Sequence, residues 1–438
     1  MSRVTVIGAG LAGCEAAWQI AQRGIEVLLI EMKPEKKSPA HTLSSFAELV
    51  CSNSLKAERP ESAGGLLKAE MRRLGSLLVE AAYACRVPAG GALAVDRDRF
   101  SEWVTEKIST HPKIRVARKE CTALSGEEPT IVATGPLTSD ALAAEIAALC
   151  GGCLFFYDAA APILTFESLQ MDRAFYASRY GRGGEDDYIN CPMNRAEYEA
   201  FYEALVSAEQ ARLHAFDTQA RVYEGCMPIE TMARRGADTM RFGPLKPVGL
   251  TDPHTGERPW ANVQLRRENS AGTLYNMVGF QTNLKFSEQK RVFSLIPALE
   301  TAEFARYGVM HRNTFIDSPR LLTPGSRMRC VPSLFFAGQI TGVEGYMESA
   351  ASGILAGINA VRTLEGREES VPPATTMMGA LAAYISDEGV VNFQPMGANF
   401  GILPPLARRI RGKRERYEAL AERALEELQN WSRIESEK

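Results

Sequence analysis

No stretch of the 438-residue chain approaches the ~20 uninterrupted apolar residues that a membrane-spanning helix needs. No membrane contact is therefore expected. The charge balance also lacks a dominant sign: 50 Lys and Arg against 53 Asp and Glu leave a formal charge of −3. Nothing global marks a nucleic-acid binder, so any RNA contact must use a local basic patch. A charged leader followed by an apolar run is missing before the first strand, which leads us to expect a soluble, cytoplasmic protein. The nine cysteines are odd in number and scattered through a long chain, unlike a secreted disulfide framework. Reduced thiols are expected. Cys150-Gly-Gly-Cys153 has C-x-x-C spacing but no partner pair for zinc.

What is present starts with Val4 to Ile7, a β-branched apolar run, followed by Gly8-Ala9-Gly10-Leu11-Ala12-Gly13, which fits G-x-G-x-x-G. In such a turn the first glycine permits the tight bend and the second lets the backbone approach a pyrophosphate. The third lets the following helix pack closely, with its N–H groups and positive dipole end toward the phosphates. A second strand, Val27 to Ile30, delivers Glu31. A carboxylate there suits the ribose diol of FAD or NAD and would repel a 2′-phosphate. The motif occurs once after a strand, since Gly181-Arg-Gly-Gly184 lies in a polar stretch. NAD(P)H, if it acts here, is expected to visit as a co-substrate.

With 45% hydrophobic residues the chain can form two domains or one large domain carrying an insertion. The pattern predicts an α/β fold: a Rossmann-like FAD-binding domain with an inserted α+β domain. Its expected parts are 1–165, an insertion at 166–317, and a return at 318–438 ending in a helix. Ser52, Asn53 and Ser54 are helix-capping types, which would set Cys51 near a helix N-terminus, where a thiol becomes reactive. A small buried side chain is the plainer reading of that cysteine. Leu67, Met71, Leu74 and Leu78 predict one core helix over 65–84, with Arg72 and Arg73 outside. Thr130 to Pro136 reads as a buried strand and a small-residue turn.

From about Phe166 the composition gains Tyr, Arg and acids. Within this part lies Tyr223-Glu-Gly-Cys226-Met-Pro228, where a structural cysteine is again the plain reading. Arg234, Arg235, Arg241, Lys246, Arg266 and Arg267 follow, interleaved with Phe242 and Trp260. Such a set can track a phosphate backbone and stack bases, and a solvated face explains the charges equally well. Leu334 to Gln339 returns to a strand and glycine; in flavoproteins with a split nucleotide domain such a strand brings a residue to the ribitol chain, and Gly338 and Gln339 are expected to bind the cofactor. Gly342 to Ala350, including Glu344, Gly345 and Tyr346, then opens a small-residue helix whose N-terminus would face the flavin pyrimidine. A basic run from Arg408 to Arg416 precedes an amphipathic helix with Tyr417, Leu420, Ala424, Leu428 and Trp431 on one stripe.

Taken with the glycine turn, Ala47-Glu-Leu-Val-Cys-Ser-Asn-Ser54, Phe242-Gly-Pro-Leu-Lys-Pro-Val248, Gln264-Leu-Arg-Arg-Glu-Asn269, Val278-Gly-Phe-Gln-Thr282, Ala337 to Tyr346 and Asn399-Phe-Gly401 resemble one family. It is the folate- and FAD-dependent tRNA (uracil-5)-methyltransferases, TrmFO, relatives of the GidA flavoproteins. The likeness covers essentially the whole chain. Two positions depart from the family's pattern: Phe286, where Trp is common, and Gly397, where Asn is common. The resemblance implies FAD as cofactor, 5,10-methylenetetrahydrofolate and NAD(P)H as co-substrates, and tRNA as partner. It implies that Cys51 lies beside the flavin, that Cys226 attacks the uracil, and that Glu344 and Tyr346 are candidates to contact the pterin. A ribosomal RNA uridine methylase, a GidA-like wobble-uridine modifier and a non-catalytic flavin-containing RNA scaffold are the competing readings. GidA chains are longer, and retention of both cysteines speaks against a scaffold.

Overall fold

The computed structural model describes residues 3–38, 40–181, 183–184, 186–211, 227–390 and 393–437. Cys226 lies outside these described residues.

The β-branched run becomes β1 (Arg3–Ile7), followed by α1 (Leu11–Gln22) and β2 (Glu26–Glu31). After a long loop come β3 (Ser54–Ala57), α2 (Ala63–Arg73), α3 (Leu77–Ala84), β4 (Arg86–Val87) and β5 (Ala92–Val95). Then follow α4 (Arg97–Thr110), β6 (Ile114–Arg118), β7 (Thr130–Val132) and α5 (Asp140–Cys150). The expected helix over 65–84 is two. Gly75 at φ +70° breaks it, and Ser76 starts the second helix by accepting from Val79 N at 3.1 Å. Arg72 and Arg73 are exposed.

The chain then leaves the first sheet through β8 (Leu154–Ala159), β9 (Ile163–Thr165), β10 (Phe175–Tyr176), β11 (Tyr188–Met193) and α6 (Arg195–Ser207). It continues with α7 (Ile229–Ala233), α8 (Thr239–Phe242), β12 (Ala261–Arg267), β13 (Leu274–Met277), α9 (Phe286–Phe293), β14 (Phe304–Arg306) and β15 (Met310–Phe315). After α10 (Ser318–Leu321) it returns as β16 (Leu334–Phe336), α11 (Tyr346–Leu364), α12 (Met377–Tyr384) and α13 (Lys413–Glu437).

The parallel sheet has the order β16-β7-β1-β2-β6, with Thr5 opposite Leu28 on one side and Thr130 on the other. β16 joins it from beyond the excursion, pairing in parallel with β7. α1 and α11 lie against each other through small residues. A Cβ on Gly353 would stand 2.2 Å from Ala12 O, and one on Gly357 would stand 2.9 Å from Ala16 O. The excursion builds a second, antiparallel sheet, β10-β11-β12-β13-β9-β14. Phe201, Phe280 and Phe293 fill its core, with ring centroids 6.2 and 5.3 Å apart. β8 and β15 form a two-stranded antiparallel link between the two bodies. The fold is Rossmann-like α/β with an inserted α+β unit.

The C-terminal stripe packs as its spacing predicts: Leu420, Ala424 and Leu428 are buried. Trp431 Nε1 donates to Ser370 Oγ at 3.0 Å. No helix among the described residues is long and apolar enough to cross a membrane.

Candidate functional site

A cleft opens at the carboxyl ends of β1, β7 and β16, enclosing about 1100 Å³ of space including its mouth. Its floor is the glycine turn. Gly8 N donates to Ile30 O at 2.8 Å, and at φ +98° a Cβ on Gly8 would stand 2.6 Å from Ala133 O. A Cβ on Gly13 would overlap Gly8 O at 1.8 Å, so only glycine lets the helix sit this close under the turn. Gly10 is different, because no atom of the protein lies within 4 Å of where its Cβ would be. The space over Gly10 belongs to the cleft. α1 has neither a side-chain cap nor an acid in its first turn, so its leading N–H groups and dipole are left to an anion.

Glu31 is buried at 5% exposure and lines this cleft with Gly8, Ala9, Gly10, Leu11 and Ala12. Its Oε2 accepts from Ala9 N at 2.7 Å and its Oε1 from Lys33 N at 2.9 Å. Each oxygen thus tethers the backbone and keeps a lone pair for a further donor. Amide donors, the open space over Gly10 and a carboxylate fit the pyrophosphate and ribose of a dinucleotide.

On the far wall stand Gly338, Gln339 and Tyr346. Gly338 has φ +86° and donates its N–H to Ser352 Oγ at 2.7 Å. Gly345 caps α11 at φ +125°, and a Cβ there would collide with Glu348 Oε2 at 2.2 Å. The buried Glu344 accepts from Gln339 Nε2 at 2.5 Å, and its N–H donates to Met396 O at 2.8 Å. Sequence reasoning missed Lys56 and Glu348. Lys56, at φ +64°, pairs with Glu348 at 2.7 Å beside the start of α11. Of the two departures from the family's pattern, Gly397 adjoins this pair, its Cβ position lying 3.5 Å from both Glu348 Oε1 and Lys56 Nζ. Phe286 stacks on Tyr307 at 4.8 Å.

Cys51 is not at a helix N-terminus. The residues after it run into β3, because their polar side chains are taken by tertiary partners. Asn53 Nδ2 donates to Val95 O and Arg267 O, at 3.0 and 2.9 Å. The buried Arg266 donates to Asn53 Oδ1 and Ser52 Oγ, both at 2.9 Å. The Tyr346 hydroxyl accepts from Cys51 N at 2.8 Å and Ser52 N at 3.1 Å and lies 2.9 Å from Cys51 Sγ. With both lone pairs engaged, its own proton is directed at the sulfur. Burial raises its pKa well above the ordinary phenol range, so the proton stays.

Around this pair, Arg97 pairs with Glu268 and donates to Leu49 O at 2.8 Å. Burial pushes the Glu268 carboxyl up, against the pull of Arg97. Burial lowers the pKa of Arg266 and of Arg306, and the nearby Cys51 opposes this in both. The bodies therefore meet at a buried charged cluster that includes the thiol. Apart from the arginine pair at 266 and 267, which sequence reading had set among surface cations, nothing local announces this cluster. It is assembled from β12, β14, α4 and α11.

Tyr346→Phe would strand two half-buried N–H donors, which water can partly satisfy, so that together they cost about 1–3 kcal/mol when unpaired. We expect urea unfolding of the flavin-loaded variant to show a loss in that range. A variant as stable as the parent would mean that the hydroxyl does not hold the Cys51 loop.

Cys150 ends α5, just ahead of Cys153. Among the described residues, no group of three or more His, Cys, Asp or Glu is placed to hold a metal.

The family model of glucose inhibited division protein A matches residues 3–368. A methylenetetrahydrofolate–tRNA-(uracil-5-)-methyltransferase TrmFO from Acetivibrio thermocellus is 60% identical over 429 residues, 98% of each chain. The protein of the same name from Pelotomaculum thermopropionicum is 60% identical over 97% of each chain. Among solved structures, GidA from Aquifex aeolicus superposes with a TM-score of 0.70 over 98% of this chain and 73% of that one. At 16% identity this is a likeness of fold. A family model spanning most of the sequence, and relatives matched almost from end to end, lead to one conclusion: the chain belongs to the TrmFO family of methylenetetrahydrofolate–tRNA-(uracil-5-)-methyltransferases, within the glucose inhibited division protein A proteins.

Proposed function

We propose that this protein methylates C5 of a uridine in the T-loop of tRNA, in the cytoplasm. The one-carbon donor is 5,10-methylenetetrahydrofolate, and the reductant is FAD reduced by NAD(P)H. The observation that carries this reading is a dinucleotide cradle whose wall includes Tyr346, the residue whose hydroxyl meets the Cys51 sulfur. Gly8 to Gly13 and Glu31 would hold the dinucleotide, with Gly338 and Gln339 on the opposite wall.

Uracil C5 is a poor nucleophile until something adds to C6, and a thiolate is a suitable nucleophile for that conjugate addition. We assign this to Cys226 by the family resemblance. The enolate so formed attacks the methylene carbon of the folate. Cys51, whose sulfur meets the Tyr346 hydroxyl, is assigned either to take the C5 proton or to pack beside the ring system. Loss of that proton and of tetrahydrofolate leaves an exocyclic methylene. Reduced flavin, when bound, would supply the hydride equivalent, two electrons and a proton, that turns the methylene into methyl, and the C5–C6 double bond re-forms as the C6–S bond breaks and the Cys226 thiolate leaves. Glu344 and Tyr346 are candidates to contact the pterin, Tyr346 from the cleft wall and Glu344 from its place behind Gln339.

The donor decides the mechanism. With isotopically labelled S-adenosylmethionine and labelled folate supplied separately, label should enter RNA from the folate alone. Label arriving only from S-adenosylmethionine would remove the folate mechanism and the need for a reductant.

A further inference from the structure

Phe242 is the most exposed large apolar side chain among the described residues, at 85%. It is not on a loose tip. α8 is a single turn whose Met240 is fully buried, and Leu245 just beyond it is buried as well. Gly243 N and Leu245 N both donate to Met240 O, at 3.0 and 2.9 Å, and Asn262 N donates to Leu245 O at 3.1 Å. Pro244 fits against Gly279, where a Cβ would come within 2.4 Å of its ring. With residues on both sides anchored inward, the phenyl ring is held outward.

Its surroundings are cationic and aromatic. The neighbouring Arg241 guanidinium lies over the Trp260 indole at 3.7 Å and is fixed by Asp238 Oδ1 at 2.6 Å and Trp260 O at 2.9 Å. On the other side, Lys246 Nζ lies 5.9 Å from the ring of Tyr180, which is 56% exposed. Arg241 and Lys246 thus stand on either side of Phe242 in the chain, each over a ring brought from elsewhere, Trp260 and Tyr180. A protein partner of ordinary size would call for a broad contiguous apolar patch. Separate exposed rings set among cations match single-stranded nucleic acid instead, where bases stack on aromatics and phosphates meet Lys and Arg.

We propose that Phe242 stacks on an unpaired base of the RNA substrate, with the Arg241–Trp260 and Lys246–Tyr180 pairs flanking it as the docking strip. This rests on the tRNA reading above and adds where and how the RNA is gripped. Phe242 is a positioning residue, apart from the cleft that holds the dinucleotide.

The test uses flavin-loaded full-length protein and an unmodified tRNA transcript, with Kd read by fluorescence anisotropy. Loss of one base stack lowers affinity about tenfold. Phe242→Ala and Phe242→Leu are expected to raise Kd about tenfold, whereas Phe242→Tyr stays within about twofold of the parent, with flavin content and melting temperature unchanged. If the parent protein itself does not bind the transcript, the tRNA reading falls. If the parent binds and Phe242→Ala binds equally well, the stacking proposal falls while the tRNA reading stands. Should Phe242→Ala fold poorly, Leu against Tyr decides, since equal affinity of those two would exclude ring stacking. A change in sedimentation of the RNA-free protein on Phe242→Ala, with RNA affinity kept, would make the ring a contact between copies of this chain and overturn the proposal.

Discussion

A Gly10→Val protein should fold, purify colourless and lack methylation activity. The structure makes this a clean experiment, because a Cβ on Gly10 meets no protein atom within 4 Å. Gly10 caps α1 with φ −77° and ψ −167°, an extended geometry that valine adopts readily. Replacing glycine at an N-cap costs about 1 kcal/mol, which a chain of this size should tolerate. The valine methyl groups can only point into the cleft, over the leading N–H groups of α1 where the pyrophosphate would lie. Losing that approach should weaken flavin binding by about 100-fold or more, equivalent to roughly 3 kcal/mol. The measurement is the ratio of flavin to protein absorbance after gel filtration, beside a circular dichroism spectrum. Gly13→Ala is the contrasting variant. Its Cβ would sit 1.8 Å from Gly8 O, so it should lose flavin by distorting the turn and fail the folding control as well. A Gly10→Val protein with full flavin occupancy would place the cofactor elsewhere.

The parts of the fold legible in the sequence are those fixed by local pattern. Val4 to Glu31 carries strand, turn, helix and strand in 28 consecutive residues, and every step has a short-range cause. The strand at 334–336 and the small-residue helix after it are legible for the same reason, as is the apolar stripe of α13. The single helix expected over 65–84 fails at Gly75 because leucine spacing continues in phase across a break made by three residues. The surroundings of Cys51 were illegible for a different reason. Its hydroxyl partner is 295 residues away, and the arginine bound to the adjoining Ser52 and Asn53 is more than 200 residues away. Ser52 and Asn53 carry the chemistry of helix caps, but the donors and acceptors they meet belong to other strands. Tertiary partners outcompeted the local preference.

For the two thiols, the expected result is a separation of roles. RNA carrying 5-fluorouridine at the target position cannot release fluorine as a cation, so after one-carbon transfer the base should remain joined to its nucleophile. Denaturing gels of the parent protein should then show a shifted protein–RNA band. Cys226→Ala should show none, with turnover falling by on the order of 10⁴ or more, as loss of a covalent nucleophile typically causes. Flavin content should be normal in that variant, since the cradle is lined by Gly8 to Ala12 and Glu31, far from position 226 in the sequence. Cys51→Ala should lose turnover but still form the adduct. Its sulfur meets the Tyr346 hydroxyl, which also fixes the Cys51 and Ser52 amides, so the substitution removes the thiol while the two backbone hydrogen bonds remain. The loop should therefore keep its shape, and the variant would report on the sulfur alone. A band of parental intensity from Cys226→Ala would make another residue the nucleophile. Its loss in Cys51→Ala, with flavin and fold intact, would exchange the roles of the two cysteines.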